Sequence, residues 1–286
     1  MPESSLRIPK LIQAAAGDLC FAVWEWPGKD PPLLFAHATG FHGRCWDQVI
    51  RLLPQERRCL APEARGHGRS SKPAPPYHWA AFARDLVSIA EQLGLSEAIG
   101  IGHSMGAHTI TSVAAERPAT FSKLLLLDPT IRRPDQYGIP PFDASFIRKR
   151  RRRWPSPDAM WESFRGRPPF DMWNDAVLRD YCNYGLLPQG DDYVLACAPE
   201  AEASVYECSR EQEANLHPVI PGITQPVTVL RAGAVGNPLF NADPSPTDPQ
   251  LAARFPRGRD VLLQELSHYL PMEAPALVAE YVRDLL

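Results

Sequence analysis

A doubly wound α/β fold, with a mainly parallel sheet and an inserted helical cap, is what this sequence predicts. Three observations carry the prediction. Short apolar runs of strand length alternate with longer stretches of helical periodicity, the signature of βαβ units. Prolines stand at the edges of the apolar runs, as Pro62, Pro129 and Pro226 do, where a missing N–H costs no ladder bond. One long interval, from Pro129 to about Pro221, breaks the alternation and holds twelve of the 31 prolines.

Each element has its local reason. Residues 19–26 (LCFAVWEW) follow Ala16-Gly17-Asp18, which reads as the turn of an N-terminal hairpin. Leu33–His37 (LLFAH) reads as a buried strand, followed by a loop and a helix from about Trp46 to Leu53. Arg58–Ala61 is a short strand ended by Pro62. Residues 79–93 place Phe82, Leu86, Ile89, Ala90 and Leu93 on one helical face, and Gly94 stops the helix. Strand 98–102, helix 105–116 and strand 123–127 follow. Beyond the interval, Pro226 opens strand 227–231, strand 260–264 follows, and a last helix runs from about Pro275 to Leu286. The interval is too long for a plain loop in a compact domain. It reads as a cap, residues 129–221, inserted into a core made of residues 1–128 and 222–286.

The 286 residues suit one or two domains, a single large α/β domain with an insertion being within range, and can bury a core without disulfides or metals. Proline is about twice as frequent as the usual ~5%, which alone could mean disorder. The 44% hydrophobic content and seven Trp argue instead for a packed chain. A net charge of −3 speaks against a nucleic-acid binder. Six cysteines without a C-x-x-C pair, no apolar leader and no apolar run of membrane-spanning length predict a cytoplasmic protein with reduced thiols.

Chemistry concentrates in Gly102-His103-Ser104-Met105-Gly106, a G-x-S-x-G sequence between a strand and a helix. A serine nucleophile needs a sharp turn there, with small residues on either side to let the backbone pass closely. The helix N-terminus sets the Met105 N–H beside a reacting carbonyl. Gly100-Ile101-Gly102 with Gly106 also resembles a glycine-rich dinucleotide fingerprint, and Asp128 follows where a ribose-binding acid could stand. That reading leaves three other pieces unexplained. His37-Ala38-Thr39-Gly40-Phe41-His42-Gly43 makes a turn at a strand end that can aim backbone N–H groups at an oxyanion. Glu63-Ala64-Arg65-Gly66-His67-Gly68-Arg69-Ser70 follows the next strand. Leu266-Ser267-His268-Tyr269 brings a histidine past the last strand, where it can act as general base and then general acid.

With these four pieces in this order, the sequence resembles the α/β-hydrolase superfamily from about Ala22 to Leu286. HATGFHG resembles its oxyanion turn, EARGHGRS its D-x-R-G-x-G-x-S loop, GHSMG its nucleophile elbow and LSHY its histidine loop. The resemblance implies Ser104 as nucleophile, His268 as base, and the Thr39 and Met105 N–H groups as oxyanion donors, with Phe41 beside them in the substrate site. In much of the family the acid follows the strand after the cap, yet here Gly236 stands in that place. Asp128, at the end of strand 123–127, is the leading substitute and preserves the order Ser, Asp, His. Asp243 and Asp248 are its competitors.

The expected activity is cofactor-independent hydrolysis of a carboxylic ester in a small or medium apolar small-molecule substrate, with no metal, nucleic-acid or membrane partner. Lactone opening and carbon–carbon cleavage of ring-fission products use the same machinery. An NAD(P)-dependent oxidoreductase and a non-catalytic ligand binder are the rivals of another class. Other features read as structural. The basic run Arg148–Arg153 reads as a solvated cap helix among acids such as Asp158 and Glu162, and His103 as a packing residue under the elbow. His37 and His42 lack metal-ligand spacing. Trp154, Trp161, Phe164, Phe170 and Trp173 suit an acyl pocket and a small cap core equally.

Overall fold

The structure, a computed structural model, describes residues 7–233 and 245–286. The first hairpin pairs β1 (Lys10–Ala16) with β2 (Leu19–Trp26) around Gly17, whose φ of +58° suits a tight turn. Strand β3 (Lys29–Ala36) starts earlier than the apolar run suggests. Pro31 and Pro32 lie in its first half, where the register against β4 (Arg57–Pro62) shifts between Lys29 and Leu33. The prolines therefore sit in an irregular stretch and remove no regular ladder bond. Between these strands the expected helix from Trp46 shrinks to a 3₁₀ turn and one short turn, α1 (Asp47–Ile50).

Helix α2 (Trp79–Gln92) leads into β5 (Ala98–His103), α3 (Met105–Glu116) and β6 (Phe121–Leu127). After β6, the inserted segment carries α4 (Ser145–Arg148), β7 (Arg153–Trp154), α5 (Pro157–Phe164), α6 (Asp175–Tyr184), β8 (Leu186–Gln189), β9 (Asp192–Leu195) and α7 (Pro199–Glu207). It is not purely helical as expected, because its three strands form a small antiparallel sheet in the order β7-β9-β8. The core resumes with β10 (Val227–Ala232), α8 (Leu251–Arg254), β11 (Gly258–Leu263), α9 (Leu270–Glu273) and α10 (Pro275–Arg283).

The main sheet has eight strands in the order β1-β2-β4-β3-β5-β6-β10-β11. All pairs from β4 to β11 are parallel, and β2 joins them antiparallel. Its inner strands are buried on both faces, as parallel strands covered by helices must be. Alternation splits each strand between two cores. Leu34, Leu124 and Leu126 face α2 and α3, while Leu33, Phe35, Leu125 and Leu127 face α1 and α10. On the α3 side, β5 contributes Ala98, Gly100 and Gly102. A methyl group on Gly102 would come within 2.5 Å of the Ala107 Cα, and one on Gly106 would overlap the Ala36 carbonyl. The first turn of α3 thus rests directly on the backbone of β3 and β5. Among the described residues, no helix is long and apolar enough to cross a membrane.

Gly106→Ala is expected to lower unfolding free energy by about 1–3 kcal/mol, because backbone must shift to admit the methyl. Gly222→Ala, where space is open and φ is ordinary, should stay within about 0.5 kcal/mol of the parent. Urea denaturation of the two variants distinguishes them.

Candidate active site

Parallel strands end along one edge of a sheet, so the loops after β3, β4, β5, β6 and β11 gather there. Ser104 lies between β5 and α3 at φ +55° and ψ −116°, a conformation that costs a non-glycine residue energy and persists only where its surroundings impose it. Here they do. The Ser104 N–H donates to Leu127 O at 3.0 Å, and its carbonyl accepts from His108 N at 3.1 Å and Thr130 N at 3.2 Å. The side chain is turned out of the sheet and remains 6% exposed.

The structure brings Ser104, His268 and Asp128 into one line. His268 Nε2 lies 3.0 Å from Ser104 Oγ, and His268 Nδ1 lies 2.6 Å from Asp128 Oδ2. Asp128 is fully buried at the end of β6, at φ +40°. Its other oxygen, Oδ1, accepts from Ala232 N at 3.0 Å, Ser245 Oγ at 2.5 Å and Thr247 Oγ1 at 3.2 Å. The carboxylate is therefore held by donors on one oxygen and presents the other to the imidazole, which fixes the ring with Nδ1–H toward Asp128 and Nε2 free to accept from serine. Asp248 is engaged elsewhere, with Arg254 at 3.2 Å and the Gln250 N–H at 3.0 Å. Asp243 and Gly236 lie outside the described residues.

Two neighbours complete the line: Thr130, which carries no sequence signal of its own, and His103, which the sequence places under the elbow. Thr130 Oγ1 lies 3.0 Å from Ser104 Oγ, so its hydroxyl can donate to the serine oxygen while the serine proton points to His268. His103 Nε2–H donates to the His268 carbonyl at 2.7 Å and pins the loop that carries His268. Burial holds the His103 pKa well below its ordinary value, so this ring stays a neutral strut.

The turn after β3 is braced by the loop after β4, and the brace is reciprocal. His37 Nε2 accepts the Ala64 N–H at 3.0 Å, and His67 Nε2 accepts the Gly40 N–H at 3.0 Å. Each ring donates its own Nδ1–H to a nearby carbonyl, Ala38 O for His37 and Arg65 O for His67, both at 2.8 Å. Each imidazole must be neutral to accept an amide proton. Burial pushes His37 down to about 4 and His67 down to about 3. Glu63 tightens the same loop, accepting from the Arg69 N–H at 2.5 Å and Trp24 Nε1 at 2.9 Å, while Arg65 grips Asp85 with two 2.6 Å bonds. The EARGHGRS sequence is thus a buttress for the turn that holds Thr39. Within that turn Gly40 N–H is taken by His67, whereas the Thr39 and Met105 N–H groups find no protein acceptor among the described residues.

Beside this edge lies a cavity of about 560 Å³, lined on the core side by Thr39, Phe41 and Tyr269 and on the other by the inserted segment. Phe41 stacks on Trp173 at 5.7 Å and meets Tyr181 at 5.4 Å. Trp154, Phe164, Phe170 and Trp173 line the cavity as well as packing together, whereas Trp161 does not line it. The basic run departs from the expected solvated helix. Helix α4 ends at Arg148, and Arg150 turns inward to an ion pair with the buried Glu202 and a 3.2 Å bond to the Tyr181 hydroxyl.

This arrangement gives the comparisons their meaning. The chain belongs to the alpha/beta hydrolase family, whose sequence model matches residues 33–281. It is similar to a non-heme chloroperoxidase of Streptomyces lividans, 32% identical over 36% of this chain and 38% of that protein. It is also similar to a lipase, LipV, of Mycobacterium tuberculosis, 34% identical over 37% of this chain and 40% of that protein. The chain thus matches well under half the length of these relatives. Among solved structures, E-2-(acetamidomethylene)succinate hydrolase superposes with a TM-score of 0.76, covering 97% of this chain and 98% of its own at 19% identity, a likeness of fold. The glycines of the elbow meet protein backbone, Gly102 against Ala107 and Gly106 against the Ala36 carbonyl.

The histidine brace makes stability depend on pH. His37 and His67 are neutral when folded but take up protons near pH 6.5 when unfolded. The unfolded state binds more protons between pH 6.5 and about 4, so each ring contributes a loss of stability as pH falls through that window, up to about 1.4 kcal/mol per pH unit. Asp47, pushed up to about 6 by burial, acts in the opposite direction. The histidine contribution is therefore read as a difference: between pH 7 and 5, the His67→Asn variant should lose less stability in urea than the parent. Equal losses would contradict a neutral buried His67.

Proposed function

We propose that this protein is a serine hydrolase that cleaves a carboxylic ester through an acyl-enzyme, with Ser104, His268 and Asp128 as its triad. The observation that carries this reading is the line from Asp128 Oδ2 through His268 to Ser104 Oγ, with contacts of 2.6 and 3.0 Å. His268 takes the Ser104 proton as the oxygen attacks the ester carbonyl. Asp128 holds the ring and stabilises the imidazolium as it forms. The tetrahedral oxyanion accepts hydrogen bonds from the Thr39 and Met105 N–H groups, the latter at the positive end of α3. His268 then protonates the leaving alcohol, activates water against the acyl-serine, and returns the proton to Ser104 as the acid departs.

Residues 129–221 are read as the cap of this enzyme, with Phe41 and the aromatic side chains of the insertion enclosing the acyl group in the 560 Å³ cavity. Six unpaired thiols, five of them buried, support a reducing, cytoplasmic setting.

Ser104→Ala should abolish turnover of p-nitrophenyl esters while leaving the circular dichroism spectrum and denaturation midpoint close to the parent. Wild-type rates in that variant would remove the assignment. Asp128→Asn should reduce kcat by about 10⁴-fold, as expected when the base loses its orienting acid. A comparable loss from Asp248→Asn, with Asp128→Asn little affected, would move the acid elsewhere.

A further inference from the structure

The cavity lined by Thr39, Phe41 and Tyr269, the last of these next in sequence to His268, is not an ordinary apolar pocket. Its wall carries Arg150, Arg151 and Arg167 against one carboxylate, Glu202, in a chain whose net charge is −3. Arg150 and Glu202 neutralise one another. Arg151 and Arg167 have no carboxylate within ion-pair distance among the described residues. The Arg151 guanidinium is also held in place, stacked 4.1 Å above the Trp154 ring with its Nε–H donating to Arg153 O at 2.8 Å. Its terminal N–H groups meet no hydrogen-bond acceptor among the described residues. Most of the remaining lining is aromatic, so charge and ring surface meet in one site.

Resting on the serine-hydrolase reading above, we propose that the substrate carries an anionic group, a carboxylate, at the end remote from its ester. The apolar body of the acyl chain lies along Phe41 and Trp173, and the carboxylate meets Arg151 and Arg167 at the rim. A guanidinium pair suits this group because its planar fork donates two parallel N–H bonds to two oxygens. Unpaired arginines flanking an apolar pocket also favour the approach of an anion over that of a neutral ester of equal length. The Arg150–Glu202 pair has a separate role. It is part of the wall, and removing either partner would strand a buried charge, so the test spares it.

The experiment compares mono-p-nitrophenyl suberate with p-nitrophenyl octanoate at neutral pH, each corrected for spontaneous hydrolysis. Wild type should favour the anionic ester by roughly tenfold or more in kcat/KM. In the Arg151→Gln/Arg167→Gln double variant that ratio should fall close to one, through KM more than kcat, because the lost contact is made equally in ground and transition states. High salt should erode the preference in wild type. A second arm measures binding of free suberate to the Ser104→Ala protein by calorimetry, with and without the two arginine substitutions. A ratio of one or less in wild type, or a preference that survives in the double variant, overturns the proposal. If neither ester is cleaved but suberate binds Ser104→Ala and not its arginine variant, the anion site stands and the hydrolase reading fails. If both esters are cleaved equally and suberate does not bind, the hydrolase reading stands and the anion site fails.

Discussion

The site rests on one close approach, that of the first turn of α3 to the backbone of β3 and β5. Side chains at residues 102 and 106 would hold the helix away, and glycine at both lets it settle. Once it is settled, the chain between β5 and α3 has no room for a relaxed turn, and Ser104 takes its positive φ. The same approach sets the Met105 N–H at the end of the sheet, beside the turn that follows β3. Serine orientation, amide placement and helix polarity are therefore consequences of a single packing contact, which is why a pentapeptide carries so much information.

Around that contact the protein uses neutral imidazoles as rigid parts. His37, His67 and His103 each accept or donate at fixed backbone atoms, and burial keeps them uncharged. They tie the loop after β3 to the loop after β4, and the loop after β11 to the end of β5. Only His268 among these rings has a carboxylate on one side and a hydroxyl on the other, and this difference in partners separates a ring that can shuttle a proton from rings that brace the loops.

What was readable from sequence follows from the range of the forces involved. Strand alternation, the helix face of α2 and the glycine spacing of the elbow are local, and the sheet was legible from them down to which tips share an edge. That edge is where Ser104, Asp128 and His268 come together. The rest depended on distant partners. Thr130 stands 26 positions from Ser104, and no local pattern announces the contact. Glu202 lies 52 positions beyond Arg150, so a run of basic residues looked like a solvated face although one member turns inward. The small sheet β7-β9-β8 begins with a two-residue strand, too short to show alternation. Pro31 and Pro32 hid the first half of β3 because a register shift, not a regular ladder, accommodates them.

The position of Asp128 has an architectural consequence. The carboxylate sits at the end of β6, the strand directly beside that of the serine, and among the described residues of the connection from β10 to β11 Ser245 and Thr247 offer it their hydroxyls. In this layout Ser104 and Asp128 follow neighbouring strands directly, so the pairing of β5 with β6, which sets His103 opposite Leu127, also sets the spacing of the two side chains.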